Sequence, residues 1–145
     1  MASGLFRVRE SGSWMRVAVG ISGGVDSAVT AILLKAAGHE VVGVTMKIRG
    51  EEEEKEARAA AERLGIPLEV FDFTAEWKAE VMDYIRDTYR AGRTPNPCVR
   101  CNERVKFGLL PRTSFARLGC DRFATGHYAR LKDGRIFRAV DRGKD

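Results

Sequence analysis

Short apolar runs alternate along the chain with longer stretches in which apolar residues recur at helical spacing. The runs at 17–19, 40–46 and 68–73 are typical of buried strands, and 122–126 has the same character. Each of the first two runs leads into a stretch with a helical pattern, and the third leads into two. The alternation of strand and helix predicts an α/β fold with a doubly wound parallel sheet.

Three helical stretches carry distinct apolar patterns. The first predicts one apolar face that ends before Gly38, formed by Val29, Ile32, Leu33 and Ala36. Another repeats an apolar residue every four positions: Trp77, Val81, Ile85 and Tyr89. A third is predicted over 103–118, with an interruption near Pro111 because proline disrupts a helix interior. Near the end of the chain, Asp133-Gly134 between two short runs predicts a β-hairpin.

The segment 90–102 breaks the helical pattern with Gly92, Pro95 and Pro97. No strand is predicted between the helices on either side of it, so this segment must return the chain to the carboxyl ends of the strands. Ligands collect at that edge of an open parallel sheet. We therefore expect Cys98, Cys101 and Lys106 to lie near the loop that follows the first strand.

That loop is the glycine-rich segment 20–27, which joins the first strand to the first helix. Its backbone N–H groups at a helix start predict a site for an anion, and for a phosphate above all. A Walker A loop is excluded because Asp26 stands where that motif has lysine, and the glycine spacing excludes the dinucleotide fingerprint. A carboxylate among phosphates predicts an intervening Mg²⁺. Met46, at the end of the second strand, is either a wall of an adenine site or a core residue.

Charge divides the chain into two unequal halves. Residues 1–85 carry 10 basic and 14 acidic side chains, whereas residues 86–145 carry 15 and 6, which gives the overall net charge of +5. A basic half favours a polyanion such as RNA, although an arginine-rich solvated surface has the same signature. No apolar run reaches membrane-spanning length and no signal peptide is evident, so we expect a cytoplasmic protein that has no membrane partner. Residues 1–15 are expected to form a flexible leader.

Three cysteines, at positions 98, 101 and 120, are expected to be reduced thiols. Cys101 stands just before a predicted helix and among basic residues, which favours its nucleophilic thiolate. Cys98 and Cys101 also have the spacing of a redox pair or of half a metal site. Cys120 precedes the fourth strand, at the opposite edge of the sheet, and is interpreted as a buried structural thiol.

The loop 20–27, the segment 92–102, Lys106-Phe107 and the segment 124–129 together closely resemble the tRNA-specific 2-thiouridylases. These enzymes belong to the PP-loop ATP pyrophosphatases, whose fold is Rossmann-like and of the adenine nucleotide alpha hydrolase type. The resemblance implies ATP-dependent 2-thiolation of the wobble uridine. In that reaction ATP adenylates the C2 oxygen with release of pyrophosphate, and sulfur from a cysteine persulfide then displaces AMP.

The resemblance also implies roles for individual residues. ATP would be bound by Gly20, Ile21, Ser22, Gly23, Gly24, Val25, Asp26, Ser27, Met46 and Gly126. The target base would face Asn96, Pro97 and Cys98. Cys101 would be the first catalytic cysteine, and Asp26 would act with it through Mg²⁺. The implied partners are tRNA and a sulfur-donor protein that carries a persulfide.

The chain departs from the family at two points. Many members have aspartate in place of Cys98, so the Cys98–Cys101 pair invites instead a disulfide, or two ligands of an iron–sulfur cluster completed from elsewhere. The second catalytic cysteine and the tRNA-binding regions of the family lie beyond residue 145. We therefore expect 16–145 to be an N-terminal PP-loop domain that binds ATP but does not complete sulfur transfer alone.

Three other functions remain open, and the Cys98–Cys101 pair makes one of them a thiol-redox or cluster-binding protein. Another PP-loop pyrophosphatase, such as an amide-forming synthetase, would have no use for cysteines near the nucleotide. A non-catalytic module that binds a nucleotide or RNA would bind ATP without releasing pyrophosphate.

Overall fold

Four parallel strands form the central sheet of the computed structural model, which describes residues 14–48, 52–138 and 140. Their order across the sheet is β3-β2-β1-β4, and the pairing places Gly20 opposite Val44 and Met46 opposite Phe71. The strands are β1 (Arg16–Gly20), β2 (Glu40–Lys47), β3 (Leu68–Asp72) and β4 (Arg122–Ala124). The predicted α/β class and parallel sheet are confirmed.

Helices cover both faces of this sheet. They are α1 (Val25–Ala36), α2 (Glu52–Leu64), α3 (Thr74–Trp77), α4 (Asp83–Arg90), α5 (Pro97–Cys101) and α6 (Leu110–Leu118). A π-helical segment, Lys78–Met82, joins α3 to α4, and a second, Asn102–Leu109, joins α5 to α6. None of the helices in the described part of the chain is long and apolar enough to cross a membrane.

Alternate residues of β1 point into two separate cores. Val17 and Val19 pack with Ala31 of α1 and with Ala57 and Ala61 of α2. On the other face, a second cluster joins the sheet to the later helices and comprises Ala18, Val44, Ile48, Phe71, Phe73, Val81, Val105, Leu110 and Cys120. The period of two along a strand explains this division, because successive side chains leave opposite faces of the sheet.

Helix α1 forms where it was predicted, but its apolar stripe does not face the sheet. Ser27 and Ala31 are its buried residues, whereas Val29, Ile32 and Leu33 are 45%, 52% and 64% exposed. Small side chains allow a close approach of the helix to the strands, and this approach leaves no room for the branched residues. The predicted apolar face is therefore present on the helix but is largely exposed.

The return from α4 to the carboxyl edge is shorter than predicted. Helix α5 begins at Pro97, where a proline in the first turn costs no hydrogen bond. Only residues 91–96 therefore form the connection from α4 to α5. Cys101 therefore ends the first turn of a helix rather than preceding one. The interruption near Pro111 takes the form of the π-helical segment Asn102–Leu109, which comes before the proline.

A side-chain hydrogen bond precedes the helical segment that begins at Thr74, because Asp72 Oδ1 accepts the Thr74 N–H at 3.0 Å. Hydrogen bonding to Thr74 lowers the pKa of Asp72 below its ordinary value. The four-residue apolar spacing coincides with the π-helical segment Lys78–Met82, because a wider turn keeps such residues aligned.

The β-hairpin is confirmed, with β5 (Arg130–Lys132) paired antiparallel to β6 (Arg135–Phe137). Asp133 and Gly134 both have positive φ, at 52° and 71°, as a two-residue hairpin turn requires. At the other end of the chain, Met15 packs against the β1 core and its carbonyl accepts the Glu40 N–H at 3.0 Å. The predicted leader before residue 14 lies outside the described residues.

Candidate active site

A cavity of about 850 Å³ opens at the carboxyl ends of the strands, beside β1 and β4. The chain leaves β1 toward one face of the sheet and reaches β4 from the other, so the cavity lies at the point where the winding reverses. Open α/β sheets bind their ligands at such a point. One wall is the loop after β1, a second is the segment after β4, and a third is formed by the helices from Trp77 to Ile85 and from Pro97 to Leu110.

The loop after β1 is held by its own hydroxyl groups. The Ser27 hydroxyl donates to the Gly24 carbonyl at 2.9 Å, and the Ser22 N–H donates to Ser27 Oγ at 3.4 Å. Among the described residues, no side chain caps the start of α1 at Gly24. The first turn of this twelve-residue helix therefore offers N–H groups and the positive end of its dipole to an anion.

Two glycines fix the position of that loop through close backbone contacts. Gly23 has a φ of +86°, and a Cβ atom there would lie 2.7 Å from Glu56 Cβ on α2. A Cβ atom on Gly126 would lie 2.7 Å from both the Asp26 carbonyl carbon and the Ser27 nitrogen. Real Cβ atoms essentially never come so near, so the segment after β4 packs directly on the start of α1.

Asp26 lies at the junction of those two segments. Its Oδ1 accepts a hydrogen bond from the Tyr128 hydroxyl at 2.9 Å, across 102 positions of sequence. Nearby, Thr125 Oγ1 and His127 Nδ1 are 2.9 Å apart, and the His127 ring contacts Phe107 with centroids 5.2 Å apart. The Phe107 contact joins the β4 segment to the helical wall that carries the cysteines.

Helix α5 places two cysteines on the cavity wall that faces this loop. Asn96 caps the helix by accepting the Val99 N–H at 3.2 Å, and the Tyr84 hydroxyl oxygen accepts the Asn96 N–H at 3.3 Å. These two bonds fix the start of the helix against α4. Cys98 is exposed, whereas Cys101 is half-buried and packs against the core.

The positive charges near these cysteines differ in their partners. The guanidinium of Arg100 pairs with Glu80 at 2.9 Å and lies over the Tyr84 ring, so its charge already has a carboxylate partner. Arg104 lies 3.5 Å from Glu103. Lys106 lines the cavity and forms no ion pair with any residue that the structure describes. Among Arg100, Arg104 and Lys106, only Lys106 therefore brings a charge to the cavity without a carboxylate partner from the described residues.

The family to which the chain belongs follows from comparison with known proteins. The family described as the tRNA methyl transferase HUP domain matches residues 15–145. The chain belongs to this family. Its sequence is 50% identical to that of the tRNA-specific 2-thiouridylase MnmA of Mycolicibacterium gilvum, over 90% of this chain and 40% of that protein. The same name is carried by a relative from Rhodococcus erythropolis, 50% identical over 90% of this chain and 39% of that protein.

Solved structures show the same HUP fold at lower identity. A predicted subunit of a tRNA methyltransferase from Methanocaldococcus jannaschii matches 90% of this chain and 60% of that chain, with 20% identity and a TM-score of 0.57. An NMN synthetase from Francisella tularensis matches 77% of this chain and 44% of that chain, with 20% identity and a TM-score of 0.53. The chain spans about 40% of the length of the curated relatives it matches.

Most of the residues singled out from the sequence line the cavity of this HUP domain. Those that line it are Gly20, Ile21, Ser22, Asp26, Ser27, Met46, Pro97, Cys98, Cys101 and Gly126. Gly23, Gly24 and Asn96 do not line it but shape its walls, and Val25 faces a neighbouring pocket beside Tyr128. Cys120 is buried at the opposite edge of the sheet, as predicted. Burial raises the pKa of its thiol.

Sequence reasoning did not assign roles to several residues of the HUP domain that the structure brings to the site. Tyr128 and Thr125 follow β4 in the segment that carries the resemblance, but nothing in their spacing pointed to Asp26 or His127. Trp77 and Ile85 were predicted only as part of an apolar helix face, yet both line the cavity. An apolar side chain that lines a cavity has the same helical spacing in the sequence as one in the core, so the spacing cannot distinguish the two.

The sequence suggested two metal groups for this HUP domain, an iron–sulfur cluster and Mg²⁺. No group of three His, Cys, Asp or Glu side chains that could hold a metal ion occurs in the described part of the chain. The iron–sulfur cluster therefore gains no support. A Mg²⁺ site needs fewer protein ligands, because proteins commonly bind this ion through one carboxylate, water and the phosphates of a substrate. The Asp26 carboxylate, which lines the cavity beside the loop after β1, fits that requirement.

Proposed function

We propose that this chain is the ATP-binding portion of a tRNA 2-thiouridylase, an adenylating tRNA-uridine sulfurtransferase. The cavity that contains both the β1 loop and the Cys98–Cys101 pair is the observation that carries the proposal. A phosphate site alone would suit many enzymes. A phosphate site that shares one cavity with two thiols suits a reaction that uses ATP and sulfur on the same atom.

The first step would join the C2 oxygen of uridine to the α-phosphorus of ATP and break the bond from that phosphorus to the pyrophosphate group. The loop 20–27 and the first turn of α1 would hold the β- and γ-phosphates through N–H groups, which stabilise the departing charge. Asp26 would hold Mg²⁺ against those phosphates, and the metal would neutralise part of their charge. Lys106, which has a cationic side chain on the opposite wall, would attract the α-phosphate.

Sulfur would then displace AMP from C2, so that the original uridine oxygen leaves with the nucleotide. A thiol-derived anion is a strong nucleophile, and AMP is a far better leaving group than oxide. Cys101 would serve this step as the first catalytic cysteine, with Asn96, Pro97 and Cys98 beside the target base. Met46 and Gly126 would flank the adenosine.

Two partners follow from this proposal. The substrate is a tRNA, which is consistent with the excess of 15 basic over 6 acidic side chains in residues 86–145. The sulfur comes from a protein that carries a persulfide. Both partners and ATP itself would meet this enzyme in the cytoplasm.

The description of the family refers to methyl transfer, whereas the relatives at 50% identity carry the name of a thiolating enzyme. The identity of those relatives and the two thiols of the cavity favour thiolation. Methylation of tRNA would leave the C2 oxygen of uridine in place. The fate of that oxygen therefore distinguishes the two activities.

The test uses the complete protein encoded by the gene, Mg-ATP, a persulfide donor and unmodified tRNA labelled with ¹⁸O at the uridine C2 oxygen. We expect AMP and pyrophosphate to appear only with tRNA, and we expect the AMP phosphate to carry the ¹⁸O. Unlabelled AMP, or ADP with phosphate, would contradict adenylation of the base. A Cys101→Ser variant should block thiolation, while Cys120→Ser, at the far edge of the sheet, should retain it.

A further inference from the structure

Asp26 is held from two sides, by its own helix and by the segment after β4. The Thr30 hydroxyl donates to the Asp26 carbonyl oxygen at 2.9 Å, one turn further along α1, and this bond anchors the backbone. The Tyr128 hydroxyl donates to Oδ1 of the Asp26 carboxylate, also at 2.9 Å. A hydrogen bond to one oxygen restrains the rotation of a carboxylate group, so the side chain of Asp26 is restrained as well as its backbone.

The position of Tyr128 follows from the close packing at Gly126, two residues before it. The backbone of Gly126 lies directly on that of Asp26, where a Cβ atom would come within 2.7 Å. Tyr128 then lines a pocket that it shares with Val25 and Val29 of α1. The phenol therefore has a defined place against α1, although the residue is 48% exposed.

Asp26 lies between two pockets, and Tyr128 approaches it from the smaller one. Asp26 lines both the 850 Å³ cavity and the pocket beside α1, whereas Tyr128 lines the pocket beside α1. A donor inside the large cavity would compete with a bound ligand for the carboxylate and for space. A donor in the smaller pocket instead supports the carboxylate from behind.

The Tyr128 hydroxyl is a neutral donor, which suits a carboxylate that has to bind a cation. A lysine or arginine in its place would offset the charge of Asp26 and would repel Mg²⁺. A phenol leaves the negative charge in place while it restrains the group. Carboxylates that bind metals commonly have such a hydrogen-bonding partner, and loss of the partner typically lowers metal affinity by roughly 10–100-fold.

We propose that Tyr128 is a positioning residue, whose hydroxyl holds the Asp26 carboxylate in the orientation that binds Mg²⁺ with the phosphates of ATP. The inference rests on the proposed function only for the identity of the ligand at the loop after β1. Gly126 and Tyr128 belong to one segment. The wall proposed to flank the adenosine therefore also holds the carboxylate proposed for the metal.

The experiment measures ATP affinity by calorimetry on this chain, first with saturating Mg²⁺ and then with EDTA. Tyr128→Phe keeps the ring and removes only the hydroxyl. We expect this variant to bind ATP about tenfold more weakly when Mg²⁺ is present, and to have an unchanged affinity for ATP in EDTA and for AMP. Tyr89→Phe is the matched control and should bind ATP as the wild type does, because Tyr89 is 63% exposed on α4.

A double-mutant cycle separates the positioning of Asp26 from a general effect on the fold. In an Asp26→Asn background, Tyr128→Phe should cause no further loss of Mg²⁺-dependent affinity, because both changes act through one carboxylate. Additive losses, or an unchanged or tighter affinity of Tyr128→Phe for Mg-ATP, would overturn this inference alone. A wild-type chain that binds no Mg-ATP would overturn the inference and the proposed function together.

Discussion

At position 126 the backbone of the segment after β4 touches the backbone at the start of α1. A Cβ atom there would come within 2.7 Å of both Asp26 and Ser27, and neither contact is with a flexible side chain. The close packing keeps two walls of the cavity together. Its disruption should affect ligand binding more than the fold.

We predict that Gly126→Ala lowers ATP affinity by on the order of tenfold or more, since displacement of the loop removes hydrogen bonds worth about 1.5–3 kcal/mol to a charged group. The free energy of unfolding should fall by about 1–3 kcal/mol from overpacking. Gly119→Ala is the control, because Gly119 has a φ of +62° and open space around it. That variant should lose stability through backbone strain yet bind ATP normally, as ATP titration and thermal unfolding can establish.

The three cysteines should differ in reactivity according to their burial. Cys98 should react with iodoacetamide first, Cys101 more slowly, and Cys120 only when the chain unfolds. Burial raises the pKa of the Cys120 thiol above its ordinary value of 9.0. The folded state therefore keeps this thiol protonated at a pH at which the same thiol ionises in the unfolded chain. The burial of Cys120 stabilises the fold fully below pH 9.0, and this stabilisation is lost as the pH rises above that value.

Measurements of the free energy of unfolding across the alkaline pH range test this predicted direction of the change in stability. The wild type should lose stability as the pH rises above 9.0, and Cys120→Ala should lose less over the same range. Rapid alkylation of native Cys120 at neutral pH would show that the thiol is not enclosed as described.

At the scale of single elements, the sequence predicts where elements lie better than it predicts what they face. The existence of α1 follows from its apolar spacing, but the spacing marks only which face is apolar. Ser27 and Ala31 pack against the sheet because their small size permits close contact, and Ile32 and Leu33 remain exposed. The contact between helix and sheet depends on side-chain volume, which periodicity does not encode.

The helix that carries the cysteines shows a second limit. Prolines at 95 and 97 argue against a continuous helix, yet Pro97 begins one, since a proline N–H is not needed in the first turn. The cap formed by Asn96 fixes that start and brings Cys98 and Cys101 onto one wall. The hairpin was simpler to predict, because Asp133-Gly134 favours a particular backbone conformation.

The hairpin is also the element that we expect to contact tRNA. Arg130, Lys132 and Arg135 are exposed on it, and they form no ion pair with other described residues. Replacement of all three by glutamine should weaken tRNA binding. The slope of the logarithm of the binding constant against the logarithm of the salt concentration should become shallower by about one for each phosphate that the hairpin no longer neutralises. ATP affinity should not change.

The matched control for the hairpin replaces Lys55, Arg58 and Arg63 by glutamine. These residues lie on α2 and give the same change in net charge. Filter binding at several salt concentrations measures both variants. An equal fall in tRNA affinity in the two would mean that net charge alone, and not the hairpin, governs binding.

For the whole molecule, the winding of the sheet brings the distant motifs together. The loop at 20–27 and the cysteines near 100 are far apart in sequence, and the parallel topology alone was enough to predict their meeting at one edge. The same argument placed Cys120 at the other edge. Contacts such as that of Tyr128 with Asp26 could not be predicted, because they depend on loop conformations that only the folded chain defines.

The central claim is that the loop after β1 binds the pyrophosphate portion of ATP, and competitive calorimetry on this chain tests it most directly. Mg-ATP should bind the wild type, pyrophosphate should displace it, and AMP should bind much more weakly. Asp26→Asn should lower the affinity for Mg-ATP and leave that for AMP unchanged. If AMP binds as tightly as ATP, if pyrophosphate does not compete, or if ATP does not bind, the account of this site is contradicted.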